Sequence, residues 1–272
     1  MHWRDAQTTM LRTLVAIPRL GLVTDMDGTI SPIVPNPDAA QVTPRSRALL
    51  KALQPCLALV AVVSGRAAAD VRARVATPGV LCVGNHGLEV WSDGEVKLTP
   101  EAAPYRPAIE AAIRDVQGRI AVPGMLLEDK GPTVSIHYRQ VDDPEAVART
   151  FRPVVAEIAD RHGLTFFEGR MIFELRPPVA VNKGTAFRQL VHDHRLEAAV
   201  FLGDDITDVD ALRMARRLRE EGACYALGLG VESAGTPSEV SEAADLVAEG
   251  VSGVEAFLAW LLDARKASSN CA

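Results

Sequence analysis

The chain alternates short, unbroken apolar runs with stretches of helical periodicity. "LGLVTD" (20–25), "LALVAVVSG" (57–65), the start of "GVLCVGNHGLEV" (79–90), "AAVFLGDD" (198–205) and "ACYALGLG" (223–230) each read as a strand with no polar face. Between and after them, "TPRSRALLKALQP" (43–55), "RAAADVRARVA" (66–76), "DVDALRMARRLREEG" (208–222) and "GVEAFLAWLLDAR" (253–265) read as helices. The first of these has Thr43 as N-cap and Pro44 at its first position. A strand apolar on both sides is buried on both sides. The pattern therefore predicts an α/β, Rossmann-like core: a parallel sheet covered by helices.

Over 103–178 the pattern changes. The helix "PYRPAIEAAIRDVQGRI" spaces Ile109, Ala112, Ile113, Val116 and Ile120 on one face. "MLLEDKGPTVSIHYRQ" reads as a hairpin turning at Lys130-Gly131-Pro132. A second helix, "DPEAVARTFRPVVAEIADRHG", precedes a second hairpin, "LTFFEGRMIFELRP", turning at Glu168-Gly169. This order predicts an antiparallel α+β insert within a core made of 1–102 and 179–272. Alternation sorts its side chains into two faces. Val134, Ile136, Tyr138, Met171, Phe173 and Leu175 share one; Ser135, His137, Arg139, Ile172, Glu174 and Arg176 share the other. The polar face is either a solvated exterior or a surface that closes over a polar ligand.

The 272 residues suffice for one large domain or two modest ones. A hydrophobic content of 48% with 24% charged residues is that of a globular enzyme, and a net charge of −6 argues against a nucleic-acid partner. The longest apolar stretch, "CLALVAVV" (56–63), falls far short of the ~20 residues that span a bilayer, so no membrane partner is expected. The N-terminal segment lacks a small-residue cleavage site and reads as a helical lead-in to the first strand. Cys56, Cys82, Cys224 and Cys271 are scattered without a CxxC and are expected as free thiols of a cytoplasmic, monomeric protein.

Chemistry-bearing residues gather where the strands end. Asp25 and Asp27 follow the first apolar run, and Asp204, Asp205 and Asp208 follow "AVFL". In an open parallel sheet both clusters emerge at the carboxyl edge, where such folds bind ligands. Oxygen donors without His or Cys suit a hard cation such as Mg2+, which also relieves their mutual repulsion. Ser64 in "VVSGR" can hold phosphoryl oxygens, and Lys183 in "VNKGTA" can neutralise a phosphate. "HDHR" (192–195) reads as a solvated helix end. "GLGVESAG" (228–235) has Ser233 where a dinucleotide loop needs its third glycine.

"DMDGT", "SGR", a downstream Lys and "GDDITD" resemble the four motifs of the haloacid dehalogenase (HAD) superfamily of phosphohydrolases, and the insert resembles that superfamily's C2-type caps. "GNHGLE", "EDKGPTVSIHYR", "FELRP" and "GDDITDVDA" narrow the similarity to trehalose-6-phosphate phosphatases. The resemblance implies a small sugar phosphate as substrate and Asp25 as the nucleophile that forms an aspartyl-phosphate. It implies Asp27 as the acid, then the base, which requires Asp27 to hold a proton near neutral pH. It implies a metal held by the Asp25 carboxylate, the Asp27 carbonyl and Asp204, with Asp205 and Asp208 orienting the inner shell. Ser64 and Lys183 would bind the transferring phosphoryl group, beside Gly28, Thr29, Gly65 and Arg66. Sugar contacts would map to Glu128, Lys130 and Glu174, with His137, Arg139, Arg176 and the loop Asn85, His86, Gly87 as further candidates. Phosphatases of sucrose phosphate, mannosyl-phosphoglycerate or other glycosyl phosphates share the same scaffold, and a non-catalytic sugar-phosphate sensor would be expected to lack Asp25 or Asp27.

Overall fold

The structure, a computed structural model, describes residues 1–34, 36–169 and 171–268. The chain divides into two compact units: Met1–Val96 with Val181–Ala272, and Lys97–Ala180 between them. The insert is thus wider at both ends than the 103–178 suggested by its pattern. In chain order the strands are β1 (Leu20–Thr24), β2 (Leu59–Val63), β3 (Leu81–Gly84), β4 (Glu89–Ser92), β5 (Glu95–Leu98), β6 (Leu126–Asp129), β7 (Val134–His137), β8 (Thr165–Gly169), β9 (Ile172–Arg176), β10 (Ala198–Gly203), β11 (Tyr225–Glu232) and β12 (Leu246–Glu249). The helices are α1 (Met10–Ala16), α2 (Pro44–Leu53), α3 (Ala68–Val75), α4 (Arg106–Arg119), α5 (Pro144–Arg161), α6 (Lys183–Asp193), α7 (Val209–Glu220), α8 (Ser238–Ala243) and α9 (Gly250–Ala267).

The large sheet runs β12-β11-β10-β1-β2-β3-β4-β5. It is parallel from β12 to β3 and turns antiparallel at β4. The unbroken apolar runs are explained by burial on both faces. Leu20, Leu22, Val60, Val62 and Val200 pack with Leu11, Leu50 and Phe257 on one side. Val23, Ala61, Val63, Ala199 and Phe201 pack with Phe187 and Leu212 on the other. The β4–β5 extension was not expected, because its two four-residue strands mix apolar Val90, Trp91, Val96 and Leu98 with polar residues and form no unbroken apolar run. Its signal was the Asp93-Gly94 pair, both left-handed at φ 56° and 88°, as a two-residue hairpin turn demands. At α2 the expected cap forms: Thr43 Oγ1 accepts from the Ser46 N–H at 2.9 Å.

In the second unit the antiparallel sheet runs β6-β7-β9-β8. Ile109, Ala112 and Val116 of α4 and Val155 and Ile158 of α5 pack on Val134, Ile136, Phe173 and Leu175, the face that alternation assigned to the helices. Gly169 still pairs with Ile172, so the second hairpin reverses later than Glu168-Gly169, with Met171 left-handed at φ 60°. Cys82 and Cys224 are free and buried. Cys56 is disulfide-bonded, contrary to the expectation of free thiols, and Cys271 lies outside the described residues. Among the described residues no helix is long and apolar enough to cross a membrane.

One buried charge ties the first unit together. Arg265 of α9, only 1% exposed, donates to the carbonyls of Cys56, Val15, Ile17 and Pro18 at 2.8–3.1 Å. These carbonyls end α1 and precede β1 and β2, so one guanidinium fixes the entry of two central strands. Arg265→Met keeps most of the volume but orphans the carbonyls. It is expected to destabilise the fold by at least about 3 kcal/mol, read as a lower midpoint in urea unfolding.

Candidate active site

The site forms where β1 and β10 end. The Asp25 N–H donates to the Leu202 carbonyl at 2.8 Å, so the first carboxylate is held by a continuation of the β1–β10 ladder. The chain then turns back at once: the Met26 carbonyl accepts from the N–H groups of Ile30 and Ser31, and Gly28 sits at φ 84°. A Cβ on Gly28 would stand 1.9 Å from Asp204 Oδ2, so the turn can press against that carboxylate only with glycine there. Gly203 does the same for Asp208, whose Cγ would lie 2.4 Å from an added Cβ. At the start of α6 the Asn182 side chain accepts from the Thr185 N–H, a capping box that places Lys183 in the first turn.

These elements converge on one buried cluster. Lys183 Nζ donates to Asp25 Oδ1 and Asp208 Oδ1, each at 2.7 Å. Asp208 Oδ2 accepts from the backbone N–H groups of Asp204 and Asp205, and Asp204 Oδ1 accepts from Thr29 Oγ1 at 2.9 Å. Asp208 therefore spends both oxygens on protein donors. Among the described residues, Asp25 Oδ2 and Asp204 Oδ2 accept no hydrogen bond. Oxygens of Asp25, Asp204 and Asp208 lie within 4.8 Å of one another.

Three carboxylates against one ammonium leave two negative charges in a buried place. Burial pushes Asp25 well above the usual carboxylate range; Lys183 opposes this, and Asp208 and Asp204 reinforce it. Burial, then Asp208, raises Asp204 to about 7, with Thr29 and Lys183 opposing. Burial works against the Lys183 ammonium, but Asp208 and Asp25 outweigh it and hold it charged. An all-oxygen donor set, unfilled oxygens on two buried carboxylates and surplus negative charge together fit a hard divalent cation held by Asp25 and Asp204, with Asp208 as their support. Asp205 is exposed and its carboxylate lies outside this group; its N–H is what it contributes.

Asp27 faces a different partner. Arg66 grips both of its oxygens, Nε to Oδ2 at 2.6 Å and Nη2 to Oδ1 at 3.1 Å. A guanidinium fork is a partner for a carboxylate rather than for an acid. Where negative neighbours or burial were expected around Asp27, the structure places Arg66 against a partly exposed side chain. Ser64, 2% exposed, ends β2 beside them, and its Oγ accepts from the Arg66 N–H at 3.2 Å. Gly65 lies under the His86 ring. The Asn85 N–H donates to the Arg66 carbonyl and the His86 N–H to the Ser64 carbonyl. Asn85, His86 and Gly87 are all left-handed, at φ 47°, 59° and 112°. Asn85 is fully buried and its side chain bonds Glu89, which also accepts from the Ala68 N–H at 2.6 Å. These observed bonds brace the Ser64–Ala68 loop. Glu89 was missed as a site-shaping residue, although it closes the "GNHGLE" string.

Within the second unit, Glu128, Ser135, Glu174 and Phe167 form one cross-strand row. Glu174 is buried and receives Arg176 on Oε2; its Oε1 stands 3.6 Å from Lys130 Nζ and 3.4 Å from Ser135 Oγ. His137 Nε2 meets Glu128 Oε2 at 2.9 Å. Arg106 holds Asp129 and the Gly131 carbonyl, which fixes the turn that carries Lys130. Arg176 also lies over the Phe167 ring at 4.6 Å, a contact that alternation could not show. Arg139 is exposed beyond the end of β7.

A family model described as Trehalose-phosphatase matches residues 23–244. The trehalose-phosphate phosphatase of Mycobacterium marinum (strain ATCC BAA-535 / M) is 37% identical over 207 residues, covering 72% of this chain and 52% of that protein. That of Mycobacterium tuberculosis (strain ATCC 25618 / H37Rv) is 38% identical over 202 residues, covering 69% and 49%. The chain thus spans about half the length of the curated relatives it matches. Among solved structures, the C-terminal domain of Candida albicans trehalose-6-phosphate phosphatase superposes with TM-score 0.72 at 20% identity over 94% of this chain and 96% of that one. A haloacid dehalogenase-like hydrolase from Bacteroides thetaiotaomicron superposes with TM-score 0.61 at 14% identity over 89% and 99%. The fold is that of the HAD-like hydrolases.

A raised carboxyl favours the folded state below its unfolded value, about 3.9, and loses that advantage as pH climbs through its folded value. For Asp204 that window runs from about 3.9 to about 7. The cation-free protein should therefore lose stability as pH rises from 4 to 7, and an added cation must displace protons. Magnesium chloride is expected to raise the melting temperature more at pH 8 than at pH 5.5, and Asp204→Asn to remove most of that difference. Differential scanning fluorimetry checks both.

Proposed function

The chain belongs to the trehalose-phosphatase family, and on that premise we propose that it is a Mg2+-dependent phosphomonoesterase that cleaves trehalose 6-phosphate. The observation that supports this most is the Lys183 bridge between Asp25 and Asp208, which binds one carboxylate oxygen of Asp25 and leaves the other unengaged. The steps balance on two aspartates. An Asp25 oxygen bonds to phosphorus as the bond from phosphorus to the sugar oxygen breaks, and Asp27 gives that oxygen a proton. Asp27 then takes a proton from water, whose oxygen displaces Asp25 and releases phosphate.

Lys183 and Ser64 neutralise and orient the phosphoryl oxygens, with the backbone at Gly28 and Gly65 giving close approach. Thr29 serves indirectly, since its hydroxyl is engaged by Asp204. Mg2+ held by Asp25, Asp204 and the Asp27 carbonyl would supply the screening that lets an anionic nucleophile meet an anionic ester. The polar face of the second unit supplies sugar recognition, with Glu128, Lys130 and Glu174 as its charged acceptors and donor, and His137, Arg139 and Arg176 as support. Charged groups already matched to one another leave an ill-fitting sugar's partners unsatisfied, which is how such a face discriminates.

Phosphate release should be measured on trehalose 6-phosphate, sucrose 6-phosphate and glucose 6-phosphate, with and without Mg2+. Turnover is expected to need Mg2+ and to favour trehalose 6-phosphate by about tenfold or more in kcat/KM. Equal values across the panel would sink the disaccharide reading. Asp25→Asn is expected to abolish turnover of every substrate, whereas Glu174→Gln should raise KM for trehalose 6-phosphate more than it lowers kcat.

A further inference from the structure

The grip of Arg66 on Asp27 is one link of a longer chain of charge. Arg66 spends Nε and Nη2 on Asp27 and turns its remaining nitrogen, Nη1, to Asp70 Oδ2 at 3.1 Å. Asp70 is in turn held by Arg74, whose Nε lies 2.8 Å from both of its oxygens. Arg74 Nη1 is anchored on the carbonyls of Asp38 and Ala40 at 3.0 and 2.5 Å. Asp70 and Arg74 stand four residues apart on α3, which puts them on one side of the helix, and Arg66 reaches Asp70 from the loop just before the helix's N-cap, Ala67. The signs alternate from Asp27 to Arg74, and every link is a charged hydrogen bond.

We propose that Asp70 is a positioning residue: through Arg66 it fixes the plane and orientation of the Asp27 carboxyl. An arginine side chain is long and rich in rotamers, and a fork gripping at one end can pivot about that grip. Asp70 takes the other end of the guanidinium and removes the pivot. The Asp27 carboxyl then presents one defined edge, which proton transfer to a leaving oxygen requires, because such transfer depends on geometry before acidity. Neither oxygen of Asp70 needs to touch substrate for this. Arg66 is then a carrier of orientation rather than a phosphate ligand, a role different from the one its place in "SGR" suggested. The inference rests on the reading of Asp27 as the acid.

The two can be tested apart with Asp27→Asn, Asp70→Asn and Asp70→Ala, each checked for its melting temperature. Two quantities are read in the Mg2+-loaded enzyme: trehalose release from trehalose 6-phosphate, and the pre-steady-state burst of nitrophenolate from p-nitrophenyl phosphate, whose leaving group departs without a proton. For both Asp70 variants kcat for the sugar ester is expected to fall about tenfold with KM within twofold, while the burst rate stays within twofold. Should Asp70→Ala fail to fold, Asp70→Asn carries the same comparison. Full sugar turnover in Asp70→Asn, or an equal loss in the sugar and nitrophenyl reactions, would overturn the positioning role. Full sugar turnover in Asp27→Asn would overturn the acid reading itself, and the inference with it.

Discussion

The structure depends on an ammonium placed among carboxylates out of water. Lys183 sits between Asp25 and Asp208 with all three side chains buried. Ions cost several kcal/mol each to desolvate, and removal of one member leaves the others uncompensated. Much of the first unit's local geometry reads as a way to hold that group. The β1–β10 pairing continues into Asp25, the capping box of Asn182 launches Lys183, and glycine at 203 lets Asp208 lie against the end of β10. The same balance is incomplete, since one positive charge faces three negative ones. That shortfall is what makes the cluster a place for a cation rather than a closed ion pair.

Both aspartates of "DMDGT" stand at the same strand end, yet their surroundings differ. Asp25 is buried beside an amine and two further carboxylates. Asp27, one residue removed, projects to a guanidinium and remains partly exposed. Two identical side chains acquire different chemistry because a tight turn sends them to different neighbours. In the proposed mechanism the first would be the nucleophile, and the second a group whose direction would be set through Arg66 and Asp70.

Much of this was legible in the sequence wherever burial leaves a continuous trace. The central strands announce themselves because both faces are covered; Asp25, Asp204 and Ser64 announce themselves by following those strands, and Lys183 by opening a helix. The alternation of the insert likewise separated Phe173 and Leu175 from Glu174 and Arg176. What was not legible depends on side-chain reach. The Asp27–Arg66 pair joins residues 39 apart, and nothing in either motif signals that they meet. Asp70 and Arg74 look like any charged helix face, and the clamp made by Arg265 looks like one more charge near the end of an apolar helix. The β4–β5 hairpin hid because edge strands need no apolar run; only its Asp-Gly turn marked it.

The order of synthesis gives the two units different histories. Every strand and helix of Lys97–Ala180 is made in one stretch, so that unit has all its own partners available early. The other unit must wait. β1 lies between β2 and β10, so its second neighbour emerges only after the whole insert has been made. The guanidinium that fixes the approach to β1 comes later still, on α9. A strand that stays unpaired on one edge until the insert has been made is an aggregation hazard. β1 carries that exposure as a result of where the insert interrupts the chain.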